Sequence, residues 1–179
     1  LDYPVAAGES FYSPEVATAF AVSEKNLSRA YHEFVKVHIL PERFANAERP
    51  ILLNNWEATY FDFDHDKILS LADQAKELGI ELFVLDDGWF GARNDDKGSL
   101  GDWFDNSKKT GGLDKLAAEI HGRGMKFGVW IEPEMISKNS RLYEAHPEFA
   151  MEYVGKQNIE RRNQLLLDLV NPDVQSYLI

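Results

Sequence analysis

The sequence predicts an α/β fold built on a parallel sheet, and three observations predict it. Short apolar runs suited to buried strands alternate with amphipathic helices. Each helix returns to the next strand through a short glycine turn, Gly79 once and Gly122 to Gly124 once. The segments that follow the strands are long. Strand–helix–strand order of this kind gives right-handed βαβ units. In such folds the functional site lies at the carboxyl ends of the strands, where the long loops sit.

The elements follow in order. Leu1 to Asn26 has no sustained periodicity, although Ser13-Pro14-Glu15 reads as a turn and Val16 to Val22 as a short strand. Asn26-Leu27-Ser28 fits a helix cap and also the glycosylation acceptor pattern. From Ser28, Tyr31, Phe34, Val35 and His38 step at helical spacing until Pro41 stops them. After a polar connection, Ile51-Leu52-Leu53 reads as a strand buried on both faces. Asp66 to Leu78 is a helix whose apolar face is Ile68, Leu71, Ala72, Ala75 and Leu78. Ile80 to Leu85 is the second strand. Leu113 to His121 is the next helix, with Leu113, Leu116, Ala117 and Ile120 on one face. Met125 to Ile131 is the third strand. Phe149 to Val154 and Leu165 to Leu169 predict a hairpin within a loop. Asn171 caps a last helix with Pro172 at its first position. That helix opens close to the final residue and no initiator Met is present, so the chain is expected to be a piece of a longer protein.

Composition narrows the function. The 179 residues are 44% hydrophobic and 12% aromatic, enough for one domain with a core and unlike a disordered tail. Thirty acidic against nineteen basic residues give a net charge of -11, which disfavours nucleic acid and anionic membrane surfaces as partners. No apolar run approaches the length of a membrane-spanning helix. Cysteine is absent, which excludes disulfides, thiolate metal sites and cysteine nucleophiles and fits a cytoplasmic location.

All three strands end in the same chemistry. The first runs into Asn54-Asn55-Trp56-Glu57, the second into Asp86-Asp87-Gly88-Trp89, and the third through Trp130 into Glu132-Pro133-Glu134. Carboxylates and amides exchange hydrogen bonds with hydroxyls, and indole faces pack on the C–H faces of a sugar ring. That mixture describes a carbohydrate pocket better than a phosphate one, and no phosphate-cradling glycine motif follows a strand. Each residue also has a plain structural reading: the aspartate doublet as a capped turn, the tryptophans as core, Trp103 as loop packing, and Glu132 and Glu134 as partners of a basic side chain. Asp62, Asp64 and Asp66 alternate as in a calcium loop, but Lys67 and Asp73 stand where that loop needs glycine and glutamate. His32, His38, His65, His121 and His146 show no zinc-ligand spacing, so neither metal nor cofactor is expected. The residues alone suggest a glycosidase-like (β/α)-barrel piece, with Asp87 and Glu132 or Glu134 as an acid and nucleophile pair.

The motifs carry a resemblance. Arg49-Pro50-Ile51-Leu52-Leu53-Asn54-Asn55-Trp56-Glu57-Ala58, Leu85-Asp86-Asp87-Gly88-Trp89-Phe90-Gly91, Gly101-Asp102-Trp103, Gly128-Val129-Trp130-Ile131-Glu132-Pro133-Glu134-Met135, Arg162-Asn163-Gln164-Leu165 and Leu167-Asp168-Leu169 occur in order. This set resembles the α-galactosidases of glycoside hydrolase family 36 over essentially the whole chain. The resemblance implies a partial (β/α)8 TIM barrel, about the first three βα units, over residues 48–179. Residues 1–47 would be a linker leaving an N-terminal β-sandwich domain. It implies retaining hydrolysis of terminal α-galactosyl groups, as in melibiose and raffinose, in an oligomeric parent protein. Asp86 and Asp87 would bind the galactose O4 and O6 hydroxyls, with Trp56, Trp130 and Arg162 lining the same pocket. The family's catalytic aspartates, one in a Lys-x-Asp motif on the fourth strand, have no counterpart here. The resemblance therefore replaces the Asp87 and glutamate pair, and Glu132 and Glu134 become supports of the pocket. A galactosyltransferase of the raffinose or stachyose synthase type and a non-catalytic galactose-binding piece are the alternatives.

Overall fold

A computed structural model describes residues 5–152 and 160–179. The chain divides into two units, Leu1–Arg49 and Pro50–Ile179.

In the first unit, residues 5–22 form no regular element. Val16, Phe20 and Val22 stand exposed, so the expected strand over Val16 to Val22 is absent. A strand needs a neighbour for its N–H and C=O groups, and no ladder among the described residues reaches this run. Helix α1 (Glu24–Phe34) continues into a π-helical turn, Val35–Ile39, and α2 (Glu42–Ala45) follows. The cap of α1 is Ser23, whose hydroxyl accepts from the Asn26 amide at 3.3 Å. Asn26 to Ser28, read as the cap, lies within the helix instead. Leu40 is extended, as a residue before proline must be, and that ends the helical run at Pro41.

The second unit opens with β1 (Leu52–Asn54), the short helix α3 (Trp56–Thr59) and α4 (His65–Glu77). Next come β2 (Leu82–Leu85), α5 (Ser107–Thr110), α6 (Leu113–Gly122) and β3 (Lys126–Val129). The three strands form a parallel sheet in the order β1-β2-β3. Asn54, Val84 and Gly128 share one register row, so the strand ends are level. Ile68, Ala72 and Ala75 of α4 and Leu116 and Ile120 of α6 are buried against Phe83 and Leu85 of β2. Only the central strand is well covered. Leu52 in β1 is 50% exposed, against the expectation of burial on both faces, because β1 is an edge strand with β2 as its one neighbour.

Helix α4 starts and stops as its end residues dictate. Asp64 caps α4 by accepting from the Lys67 amide at 2.9 Å. At the other end Gly79 takes φ +79, and the Ile80 amide donates back to the Ala75 carbonyl at 3.0 Å. Leu78, expected on the buried face, is the exposed residue at that stop. Asp64→Ala is expected to cost about 1 kcal/mol through the lost cap. Urea unfolding of the two proteins checks it. Of the three alternating aspartates, Asp64 is this cap and Asp62 pairs with Lys67 Nζ at 3.2 Å.

Beyond β3 a second apolar cluster forms. Strand β4 (Met135–Ile136) precedes α7 (Arg141–Ala145) and a 3-10 turn at Pro147–Phe149. Strand β5 (Leu165–Leu166) and α8 (Pro172–Leu178) complete the chain. The expected hairpin is rearranged: β5 pairs antiparallel with β4, Ile136 opposite Leu165. The Phe149 run contributes one bridge, Ala150 to Leu167, and its Val154 end lies outside the described residues. Phe149 is buried in a turn rather than a strand, beside Ile136, Leu142, Leu165, Leu167 and Val174. Asn171 caps α8 as its Asn-Pro start predicts, accepting from the Asp173 amide at 2.9 Å.

Candidate functional site

The level ends of the parallel strands carry a continuous polar and aromatic rim. Asn54, last in β1, donates its amide to an Asp86 carboxylate oxygen and accepts from the Trp56 amide at 2.8 Å. Asn55 is fully buried, and its side-chain oxygen accepts from the Asp86 amide at 2.7 Å. Its nitrogen donates to Thr59 Oγ1 at 2.8 Å, so every polar group of this buried amide side chain is engaged. The second Asp86 oxygen accepts from the Asp87 amide at 2.7 Å. Asp86 is thus fixed at the end of β2, half-buried, with lone pairs left over on both oxygens.

Asp87 is only 7% exposed. An unpaired carboxylate at that depth would be costly, and its partner is Arg93, itself 2% exposed. Arg93 Nε donates to the two carboxylate oxygens at 2.9 and 3.2 Å, and Nη2 donates to Oδ2 at 2.7 Å. The third guanidinium nitrogen donates to the Gly98 carbonyl at 2.7 Å. Gly88 follows at φ +102, where a Cβ would lie 3.0 Å from the Phe61 ring, so glycine lets the two loops close together.

The tryptophans divide. Trp56 is half-buried at the start of α3, its ring edge-on to Tyr60 and Phe61 at 5.2 and 5.0 Å. Trp130 is half-buried at the end of β3, and its amide donates to the Leu85 carbonyl at 2.9 Å. Trp89 is core: it is buried, and its indole N–H donates to the Trp130 carbonyl at 2.8 Å. Phe90 packs between Trp89 and Trp103 behind the rim. Asp102 has a structural task, since its two oxygens accept from the Arg141 and Leu142 amides at 3.1 Å and start α7.

Glu132 and Arg162 form the far side. Burial pushes the Glu132 carboxyl above its ordinary range, and Glu134 and Asp87 push the same way. Arg162 and Arg93 pull it back, which puts both guanidinium groups within electrostatic reach of Glu132. Gln164 donates weakly to Glu132 at 3.4 Å. Arg162 sits at φ +52 and Asn163 at φ +60, in a two-residue turn closed between Arg161 and Gln164. Asparagine tolerates that region, but arginine there is strained by about 1–2 kcal/mol, and such strain concentrates at functional sites.

The raised Glu132 carboxyl gives a signed prediction. The folded state holds this proton to higher pH than the unfolded chain, whose glutamates titrate near 4.5. The stabilisation is complete below that value and is lost as pH rises through the folded one. Glu132→Gln is expected to gain stability relative to wild type as pH rises from about 4 to about 7. Melting temperature against pH checks it, and parallel curves for the two proteins would contradict it.

Sequence reasoning missed Arg93, which it passed over within a polar loop, and Lys109. Lys109 Nζ donates to the Phe61 carbonyl at 2.7 Å and stands 4.1 Å from the Phe63 ring, pinning the β1 loop to α5. The one signal for Arg93 was the depth of Asp87, which demanded a cation nearby. Among the described residues no group of three or more His, Asp or Glu side chains is placed to hold a metal ion.

A level parallel sheet with its loops, carboxylates and indoles at the carboxyl ends is the arrangement of parallel α/β enzymes, TIM barrels among them, and comparisons with known proteins narrow the class. The chain belongs to the Melibiase family, whose model matches residues 10–179. It is 49% identical over 177 residues to the bifunctional alpha-galactosidase/sucrose kinase AgaSK of Mediterraneibacter gnavus, 98% of this chain and 19% of that protein. It is 50% identical over 174 residues to the alpha-galactosidase AgaA of Geobacillus stearothermophilus, 96% of this chain and 24% of that one. The crystal structure of AgaA, a family 36 enzyme, superposes with a TM-score of 0.80 at 51% identity, over 84% of this chain and 21% of that chain. A variant of AgaA crystallised in complex with raffinose superposes with the same TM-score, identity and coverage. The chain therefore spans about a fifth to a quarter of the length of these relatives.

Proposed function

We propose that this chain is the sugar-holding first part of the catalytic barrel of an α-galactosidase, which hydrolyses terminal α-D-galactosyl groups from oligosaccharides such as melibiose and raffinose. The observation that carries the reading is the Asp86-Asp87 doublet at the end of the central strand, held by Asn54, Asn55 and Arg93 between Trp56 and Trp130. Three βα units of the barrel fall within residues 48–179, and residues 1–47 lead out of a preceding β-sandwich domain.

In this reading Asp86 and Asp87 accept hydrogen bonds from the galactose O4 and O6 hydroxyls through the lone pairs their own partners leave free. Trp56 and Trp130 pack on the sugar's C–H faces, and Arg162 donates from the far side. An axial O4 separates galactose from glucose. A carboxylate placed for that hydroxyl rejects the other epimer, because the wrong sugar leaves a desolvated charge unpaired. The test is to express the full gene product and compare p-nitrophenyl α-galactoside with the α-glucoside. Hydrolysis of the galactoside alone is expected. Turnover of neither would overturn the reading, and galactosyl transfer to a sugar acceptor in place of hydrolysis would make it a transferase.

A further inference from the structure

The Arg93 guanidinium does nothing for packing that an apolar side chain of the same volume could not do. Replacing a buried ion pair by well-packed apolar residues is often neutral or stabilising, so the pair needs another reason. Its geometry supplies one. Arg93 approaches the Asp87 carboxylate with two nitrogens at once, 2.9 Å to Oδ1 and 2.7 Å to Oδ2, which fixes the plane of the carboxylate as well as its position. The guanidinium is itself held, since its remaining nitrogen donates to the Gly98 carbonyl at 2.7 Å. Three contacts on a carboxylate with about four lone-pair sites leave room for one hydroxyl donor. Arg93 Cζ also stands 5.7 Å from the centre of the Phe61 ring, and that ring meets the Trp56 indole edge-on at 5.0 Å. One buried cation therefore holds the carboxylate at the end of β2 and lies over the Phe61 ring that follows α3.

We propose that Arg93 is a positioning residue: its fork on Asp87 sets the orientation of that carboxylate, and so sets the affinity and epimer selectivity of the sugar pocket. The proposal rests on the sugar reading above. It assigns Arg93 no contact with substrate.

Lysine keeps the charge but presents a single point donor, so it cannot fix a carboxylate plane. Arg93→Lys in the full gene product is expected to stay folded and to raise the Kd for D-galactose about 10–100-fold, the scale of a small misplacement in a binding site. It should also narrow the preference for p-nitrophenyl α-galactoside over the α-glucoside in kcat/KM. Calorimetric titration with D-galactose and the two rate assays are run well below the variant's melting temperature. A merely structural arginine would lower that temperature and leave affinity and selectivity as in wild type, and that result overturns the proposal. Arg93→Met leaves a buried carboxylate unpaired and can fail to fold. Asp87→Asn combined with Arg93→Met leaves no buried charge and closes the comparison. If Arg93 acts through Asp87, adding Arg93→Met to Asp87→Asn costs little further affinity; if the Arg93→Lys and Asp87→Asn losses simply add in the corresponding Lys and Asn double variant, the proposal fails. A wild-type protein that neither binds galactose nor hydrolyses the α-galactoside overturns the functional reading, and this inference with it. Normal wild-type behaviour with an indifferent Arg93→Lys overturns this inference alone.

Discussion

Asp87→Asn is expected to lower kcat/KM on an α-galactoside by about 30- to 1000-fold, or about 2–4 kcal/mol of transition-state stabilisation. The carboxylate lies in a dry position, 7% exposed, where a charge-assisted hydrogen bond to a sugar hydroxyl is worth more than in water. Asparagine keeps the shape and one acceptor but loses the charge and gives Arg93 a nitrogen where it had an oxygen. Stability therefore falls as well, by up to about 3–5 kcal/mol, because the guanidinium stays buried without its counter-charge. The two losses separate cleanly. Urea unfolding reads the second, and kcat/KM measured well below the variant's melting temperature reads the first. An Asp87→Asn protein with wild-type kcat/KM would remove Asp87 from the pocket.

How much of this was legible in the residues depends on how local the physics is. Helices α4 and α6 follow from their own periodicity and end signals, and they stand within a residue or two of the expected bounds. The order of the strands follows from the glycine turns between each helix and the next strand. Strand burial was legible only in part, because it depends on neighbours. Ile51-Leu52-Leu53 has the composition of a covered strand yet lies at a sheet edge, and Val16 to Val22 has strand composition yet pairs with nothing among the described residues. At the rim, the order of motifs placed Asp86, Asp87, Trp56 and Trp130 together at the strand ends. It could not tell Trp89 from Trp130. Both follow a strand closely, and only the packing shows one indole donating to the other's carbonyl within the core. Arg93 was hidden for a similar reason. Six residues beyond Asp87, in Ala92-Arg93-Asn94-Asp95-Asp96-Lys97, it looks like any solvated loop charge, and only the loop's return path buries it. The Gly98 carbonyl that accepts from it and the Phe61 ring beside it come from separate loops, and periodicity carries no information on that meeting.

Expressed by itself, the 179-residue chain is expected to hydrolyse no α-galactoside. Retaining hydrolysis needs two carboxyl groups about 5–5.5 Å apart, one free to attack and one free to protonate the leaving group. The sequence contains no Lys-x-Asp, the motif that carries the nucleophile in the family it resembles. Three of the carboxylates near the rim are held by partners of their own. Asp86 is held by Asn54, Asp87 by Arg93, and Asp102 by the amides that open α7. Turnover of a chromogenic α-galactoside by this chain would sink the argument and direct attention to Glu132, whose carboxyl is pushed above its ordinary range by burial and by the neighbouring Glu134, and to Glu134 beside it. The same protein is expected to associate. Among the described residues both outer strands of the parallel sheet have an unpaired edge, and Ile51, Leu52 and Ile131 are at least half exposed beside those edges. Unpaired strand edges flanked by apolar side chains recruit other strands. Size-exclusion chromatography should therefore show dimers or larger species at micromolar concentration. A monomer with a sharp thermal transition would mean that the two outer strands are stable with open edges, and that the sheet needs no further strands to hold its rim in place.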